Sequence, residues 1–299
     1  MTLFSDSTGT AGTCRLGLGG FHVGAIADPG LAVEIVHRAV DSGFAILDNS
    51  WDYNDGESER RVGRALQSLG YRDRVLVMTK VDSRSYDGLM RQFAESLERL
   101  GLDRVDLLQL HEVIRPGDGE DAVARGGLRA LEELRDQGAI GHFGVTGHKD
   151  PRYLVDIIER AAAHGIQIET AQMPINAVDV HANSFTTTAL PAVRALGVEV
   201  LGMKPLGAGD FLASGNLTAP ELLRWALGQP IAVCVTGCET IHDVDQAVAV
   251  RDSFQPMTAE ERAELESRAA DLLSSGKIIE SYKTTAVHDA TDEHPEWRE

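Results

Sequence analysis

The hydrophobic positions of this chain change their spacing repeatedly. Short continuous apolar runs alternate with stretches where apolar residues recur every third or fourth position. The runs at 44–47 (FAIL), 75–79 (VLVMT), 105–110 (VDLLQL), 140–145, 168–172, 198–203 and 231–235 have the length of strands buried on both faces. The segment 15–24 (RLGLGGFHVG) adds a first strand that leads into a glycine-rich turn. Helical patterns fill the intervals, at 31–41, 57–69, 86–100, 127–137, 151–163, 189–196, 219–227 and 241–251. Asp28-Pro29 announces a helix start, and Gly70, Gly101 and Gly138 close three of the helices. A buried strand followed by a helix, repeated in this way eight times, predicts a parallel sheet covered by helices and closed on itself. The expected fold is α/β, a (β/α)8 TIM barrel with a C-terminal extension.

No internal boundary interrupts the pattern. Residues 1–299 therefore read as a single domain, with the barrel over about 15–251. A C-terminal helix (259–274) and a polar tail fill about 256–299, an extension of the kind that can fold across a barrel mouth. The segment 114–125 (IRPGDGEDAVAR) reads as a polar loop, longer than a minimal strand-to-helix connection.

Composition narrows the picture only slightly. The chain is 43% hydrophobic and 25% charged, ordinary for a soluble globular protein, and its formal net charge of -18 argues against nucleic acid or an anionic membrane as partner. It shows neither a signal-peptide pattern nor an apolar run of about 18 residues. The three cysteines, Cys14, Cys234 and Cys238, are too few and too oddly spaced for a disulfide framework or a metal cluster, so a cytoplasmic protein is expected.

The candidate chemistry sits where apolar runs stop. Asp48 ends the second strand, with Trp51 and Tyr53 in the loop that follows; Lys80 ends the third and His111 the fourth. Taken singly, a polar residue at a strand end marks only where solvent begins. On consecutive strands of a barrel these four converge on one rim. They suit proton transfer to a carbonyl oxygen: Tyr53 as the acid, Lys80, held by Asp48, lowering the phenol pKa, and His111 orienting the carbonyl or sharing the proton. Asp48 and His111 alone make a poor metal site, because no further ligand has metal-site spacing, and no metal is expected.

These residues and their surroundings, DNSWDY (48–53), VMTK, LLQLH, GHFGVT, TAQMPIN and MKPLG, resemble the aldo-keto reductase superfamily over roughly residues 15–251, in order. The resemblance implies hydride transfer between a nicotinamide cofactor, lying extended over the C-terminal mouth, and a small-molecule carbonyl, alcohol or sugar. Tyr53 would be acid in reduction or base in oxidation, and Trp51 and His111 would meet substrate. Gly20, Phe21 and Asp48 would contact the cofactor from the first two strands, and Thr146 and Gln172 would hold the carboxamide. The family usually places Asn after the Thr146 position, where this chain has Gly147, and a stacking Tyr where it has Met203. Lys204, in a position usually held by Ser, would pair with the pyrophosphate, followed by Pro205, Leu206 and Gly207. Gly237, Glu239, Asp243 and Gln246 would line the adenosine end. The segment 237–247 (GCETIHDVDQA) has no Lys or Arg, and carboxylates suit a ribose diol better than a 2′-phosphate, so NAD is slightly favoured over NADP. Three other readings stand beside this one. GESERRVG also occurs in the family's sugar dehydrogenases, a regulatory barrel would have lost cofactor binding, and a metal-dependent barrel hydrolase would need a metal.

Overall fold

The computed structural model describes residues 3, 4, 15–68, 70–284 and 293–299. Its strands are β1 (Arg15–Gly19), β2 (Ile46–Asp48), β3 (Leu76–Val81), β4 (Val105–Leu110), β5 (Ile140–Thr146), β6 (Thr170–Pro174), β7 (Glu199–Met203) and β8 (Val233–Gly237). They pair in sequence order into a closed parallel barrel. Closure is made by β1 against β8, with Leu16 opposite Cys234 and Gly19 opposite Gly237. The outer layer holds α1 (Gly20–Ala25), α2 (Pro29–Asp41), α3 (Glu57–Leu66), α4 (Tyr86–Leu100), α5 (Asp118–Ala124) and α6 (Gly127–Asp136). It continues with α7 (Pro151–Ala163), α8 (Leu190–Ala195), α9 (Ala219–Leu227), α10 (Ile241–Asp252) and α11 (Ala259–Ser274). The fold is a (β/α)8 TIM barrel. Among the described residues no helix is long and apolar enough to cross a membrane.

Strand side chains alternate between the barrel interior and the helical layer, and this places the chemistry. Ile46, Met78, Leu107, Leu201 and Val233 form one apolar cluster inside the barrel, closed by Phe4. Leu47, Val77, Leu108 and Cys234, one position along, belong to the larger cluster under the helices. Two residues beyond the interior layer, the same faces carry Asp48, Lys80 and Gln109, and Gln109 Nε2 donates to Thr170 Oγ1 across the interior at 3.1 Å. The barrel is therefore apolar at its N-terminal end and polar toward its C-terminal mouth. Burying a Leu- or Ile-sized side chain stabilises by about 1.5–3 kcal/mol, so the apolar layer anchors the strands that present the polar one.

The structure refines several expectations. Residues 20–25 are a short helix rather than a turn. The 114–125 stretch carries α5, whose first residue, Asp118, holds the preceding loop by accepting from the amides of Ile114 and Arg115 at Oδ2. Lys80 does not end its strand, since β3 continues to Val81. The helix read over 57–69 is described to Leu66, and residue 69 lies outside the described residues, as do Cys14 and 285–292 of the tail. The helix at 190–195 follows a π-turn over 185–189 that begins on Ser184, whose hydroxyl accepts from Thr187 N. The end of the tail is docked: Gln92 Nε2 donates to Trp297 O at 2.9 Å, Arg84 N donates to Arg298 O at 3.1 Å, and Arg298 pairs with Asp118.

Candidate active site

At the mouth, Lys80 is wholly buried and each of its three ammonium protons has an acceptor. Nζ lies 2.5 Å from Asp48 Oδ1, 2.8 Å from Asn49 O and 3.1 Å from Tyr53 Oη. Because the Tyr53 oxygen accepts from Lys80, its own O–H is left to donate elsewhere. Asp48 Oδ2 accepts from Gln172 Nε2 at 2.7 Å, which ties β2 to β6 across the interior. Tyr53 stands on a tight turn whose next two residues, Asn54 and Asp55, have φ of 53° and 54°. Glu112, Lys204 and Ala208 are also left-handed, so such backbone collects around the mouth, as it does at functional sites.

His111 follows β4 and packs edge-on to Tyr53, with ring centroids 5.6 Å apart. Its Nδ1 lies 2.9 Å from Asp82 Oδ1 and 3.2 Å from Asp52 Oδ1. Burial alone depresses the imidazole, but Asp52 and Asp82 outweigh it and raise its pKa to about 10. Burial and then the charge of Asp52 raise the Asp82 carboxyl; burial also pushes Asp52 up, but His111, Ser50 and Lys80 bring it below the ordinary range. Asp52 and Asp82 were not singled out in the sequence. Asp52 lies inside the 48–53 segment and Asp82 two residues past Lys80, so the available signal was an acid beside each catalytic candidate.

Beside this cluster a cleft runs from Asp48 and Tyr53, past Phe21, Met203, Lys204, Pro205 and Leu206, to Gly237, Glu239 and Asp243. Burial pushes the Lys204 amine down to about 8, against the pull of Glu112 and Asp48. At the far end Glu239 Oε1 lies 2.8 Å from His22 Nδ1. The Asp243 carboxylate there accepts from Glu239 N at 3.0 Å and Thr240 N at 2.8 Å, capping α10.

The sequence model of the Aldo/keto reductase family matches residues 15–224. The chain belongs to the aldo/keto reductase family. Its relatives include an aldo-keto reductase of Mycolicibacterium smegmatis, 28% identical over 204 residues, 64% of this chain and 68% of that one. Another, from Strobilurus tenacellus, is 26% identical over 226 residues, 71% of this chain and 60% of the fungal protein. Among solved structures, an aldo-keto reductase from Klebsiella pneumoniae in complex with NADPH superposes with a TM-score of 0.71 at 24% identity, covering 85% of this chain and 90% of that one. The holo form of a Bacillus halodurans aldo-keto reductase gives 0.70 at 22% identity, over 92% and 98%. As a member of this family the chain is an NAD(P)-dependent oxidoreductase.

As an aldo/keto reductase, the chain has its expected residues distributed unevenly. Asp48, Tyr53, Lys80 and His111 meet. Phe21, Met203, Lys204, Pro205, Leu206, Gly237, Glu239 and Asp243 line the cleft, whereas Gly207 is not among the lining residues. Gln246 is not among the lining residues; it stands one turn beyond Asp243, half-buried on α10. Gly20 packs where a Cβ would come within 2.4 Å of Ser58 Oγ and 2.6 Å of Asp48 O, so its smallness serves the approach of α1 to β2. At Gly147 a Cβ would lie 2.5 Å from Val113 O, which leaves no room for the family's Asn. Trp51 lies outside the cleft: its Nε1 donates to Glu95 Oε2 at 2.7 Å, and its ring meets Trp297 of the tail edge-on at 5.3 Å.

Two features bear on a nicotinamide group. Thr146 and Gln172 are opposite each other on β5 and β6 and are not among the residues lining the cleft; among the described residues Gln172 Oε1 is buried without a hydrogen-bond partner, an unsatisfied acceptor beside Asp48. Lys204, in the cleft wall, supplies a cation for a pyrophosphate. The residues present therefore fit the cofactor. One expectation is corrected: the Tyr53 pKa is not lowered. Burial and the carboxylates of Asp48, Asp52, Glu112 and Asp82 raise it well above the ordinary phenol. A second finding concerns metals. Among the described residues, the His, Cys and carboxylate ligand atoms grouped within 4.8 Å of one another belong to Asp52, Asp82 and His111, and Asp48 is not in that group.

Proposed function

We propose that this protein reduces a small-molecule aldehyde, ketone or aldose carbonyl, with Tyr53 delivering the proton to the carbonyl oxygen. The observation that carries this reading is the Lys80 Nζ to Tyr53 Oη bond of 3.1 Å, which makes the phenol oxygen an acceptor on its inner side and a donor toward the cleft. A phenol whose pKa stands well above the ordinary value stays protonated at neutral pH. It can therefore donate its proton to the carbonyl oxygen in reduction, and the phenolate so formed is the base that takes the proton back in oxidation. The bound reduced nicotinamide would supply the hydride to the carbonyl carbon. Asp48 holds the Lys80 ammonium, which stabilises the phenolate left after proton transfer. Gln172, with its amide nitrogen fixed on Asp48 and its oxygen unpaired, and Thr146 beside it would hold the carboxamide. Lys204 would meet the pyrophosphate.

For the cofactor, NADH is the proposed preference. Glu239 and Asp243 line the far end of the cleft, and among the described residues no Lys or Arg does so there; the two carboxylates would repel a 2′-phosphate but could accept hydrogen bonds from a ribose diol. The Klebsiella neighbour is described with NADPH, so the two cofactors must be compared directly. Titration of tryptophan fluorescence with NADH and with NADPH, followed by an aldehyde and ketone screen that monitors nicotinamide oxidation, tests both parts. Tighter NADH binding with turnover supports the proposal, and tighter NADPH binding reverses the cofactor preference alone. Binding of neither cofactor moves the regulatory-barrel reading to the front.

A further inference from the structure

We infer that Asp52 and Asp82 are positioning residues that hold His111 doubly protonated, with Nδ1–H bound between the two carboxylates and Nε2–H offered as a second hydrogen-bond donor to the substrate oxygen. The ring makes its described hydrogen bonds through Nδ1. Ionised carboxylates only accept, so Nδ1 carries a proton. In a neutral imidazole that proton would be the sole one, and Nε2 would turn a lone pair toward a carbonyl oxygen it is meant to attract. One carboxylate is enough to fix a tautomer. Two, at 2.9 and 3.2 Å from the same nitrogen, favour the charged ring.

The neighbouring charges agree with this state. Lys80 is matched by Asp48 at 2.5 Å. Arg84 binds the carbonyls of His111 and Glu112 at 2.7 Å each and faces Asp118 at 3.5 Å. Tyr53 meets the ring by its edge, and Glu112 adds a further negative charge from the loop after β4. Asp82 Oδ2 is buried without a hydrogen-bond partner, so that carboxylate's hydrogen bond to a side chain is the one to His111. A metal held by the same three residues is a poorer account. The 2.9 Å between Nδ1 and Asp82 Oδ1 is a hydrogen-bond length, whereas two ligands on one tetrahedral zinc with bonds of about 2.1 Å stand roughly 3.4 Å apart.

The proposal rests on the carbonyl-reductase reading only for what Nε2 meets; the protonation state belongs to the resting protein. The first experiment is therefore an NMR pH titration of the full chain with isotope-labelled histidine, the His111 resonance being the one lost in His111→Gln. In the unaltered protein the ring should remain doubly protonated through neutral pH, with its midpoint near the value of about 10 that its surroundings imply. Asp52→Asn and Asp82→Asn should each lower that midpoint by about one pH unit or more, and together return it toward the ordinary histidine value of about 6.5. Asp52 is a half-buried loop residue and its Asn variant is isosteric, so it remains informative if Asp82→Asn impairs folding. The alkaline limb of kcat/KM for reduction should move down with the midpoint while cofactor Kd stays unchanged. A neutral His111 at pH 7, a midpoint unmoved in both variants, or a stoichiometric zinc ion that binds the intact protein and is lost in Asp82→Asn would overturn the inference. Because the NMR arm needs no turnover, an inactive protein would refute the carbonyl-reductase reading and leave this result standing.

Discussion

The two sides of the barrel mouth are built differently. On the arc from β2 to β4, every functional side chain is held by several partners: Lys80 by three acceptors, Asp48 by Lys80 and Gln172, and His111 by Asp82 and Asp52. On the arc from β7 to β8, Asp243 is fixed by the cap of α10, but Lys204 and Glu239 are more loosely held. Lys204 Nζ stands 6.0 Å from the Tyr282 ring, on a left-handed backbone, and Glu239 is largely exposed with His22 as its partner. The first arc presents a geometry fixed before any ligand arrives, the requirement for chemistry at one atom. The second leaves charge and polar atoms to be completed by a long anionic ligand. A barrel can thus keep its reaction constant while the cofactor side varies.

The largest expected effect tests the rigid arc. Tyr53→Phe should lower kcat about 10²- to 10⁴-fold, with cofactor affinity unchanged by fluorescence titration; retained turnover would show that the chemistry is not on this side. Next, Lys80→Met leaves Asp48 buried without its cation and should cost about 3–5 kcal/mol of stability in urea unfolding. Lys204→Met, the matching change on the loose arc, should leave the unfolding curve nearly unmoved. It should instead weaken cofactor binding, and in the unaltered protein that binding should itself weaken as pH rises through about 8, where Lys204 loses its proton. Cofactor affinity that stays flat across that range would remove Lys204 from the pyrophosphate.

The third prediction concerns stability and pH. The folded-state pKa of His111 is raised from 6.5 to about 10, so the folded state holds its proton more tightly than the unfolded chain. Its contribution is fully present below the unfolded value and is lost as pH rises from about 6.5 to 10. Denaturation midpoints should fall across that window, and the fall should be shallower in His111→Gln. The smallest effect belongs to Glu239→Gln. Removing one exposed carboxylate from the adenosine end should shift relative affinity toward NADPH by about a few-fold, as expected for a solvent-screened charge. No shift would place the 2′ position elsewhere.

Much of the fold was legible because the buried parallel strands announce themselves as unbroken apolar runs, and helices end on recognisable glycines such as Gly101, which sits at φ 64°. The eight strands, and Asp48, Lys80 and His111 at or near their ends, could be read from the chain. Boundaries drifted where tertiary hydrogen bonds overrode local pattern: β8 begins at Val233 rather than 231, and α5 forms inside a Gly- and Pro-bearing stretch around the buried Asp118. The sequence alone points the Tyr53 pKa the wrong way, because pairing Lys80 with Tyr53 leaves out burial and the carboxylates of Asp52, Glu112 and Asp82 that the fold gathers around the phenol.

What the sequence determined by itself is the order of elements and which polar residues stand at the strand ends, since both follow from local periodicity and the residue where each apolar run stops. The charge balance around that set was decided only by the tertiary structure. Asp52, Asp82 and His111 come from three different strand-to-helix loops, and their mutual distances depend on barrel closure. A carboxylate near an imidazole acts through distance and burial, and neither is a property of residues far apart along the chain.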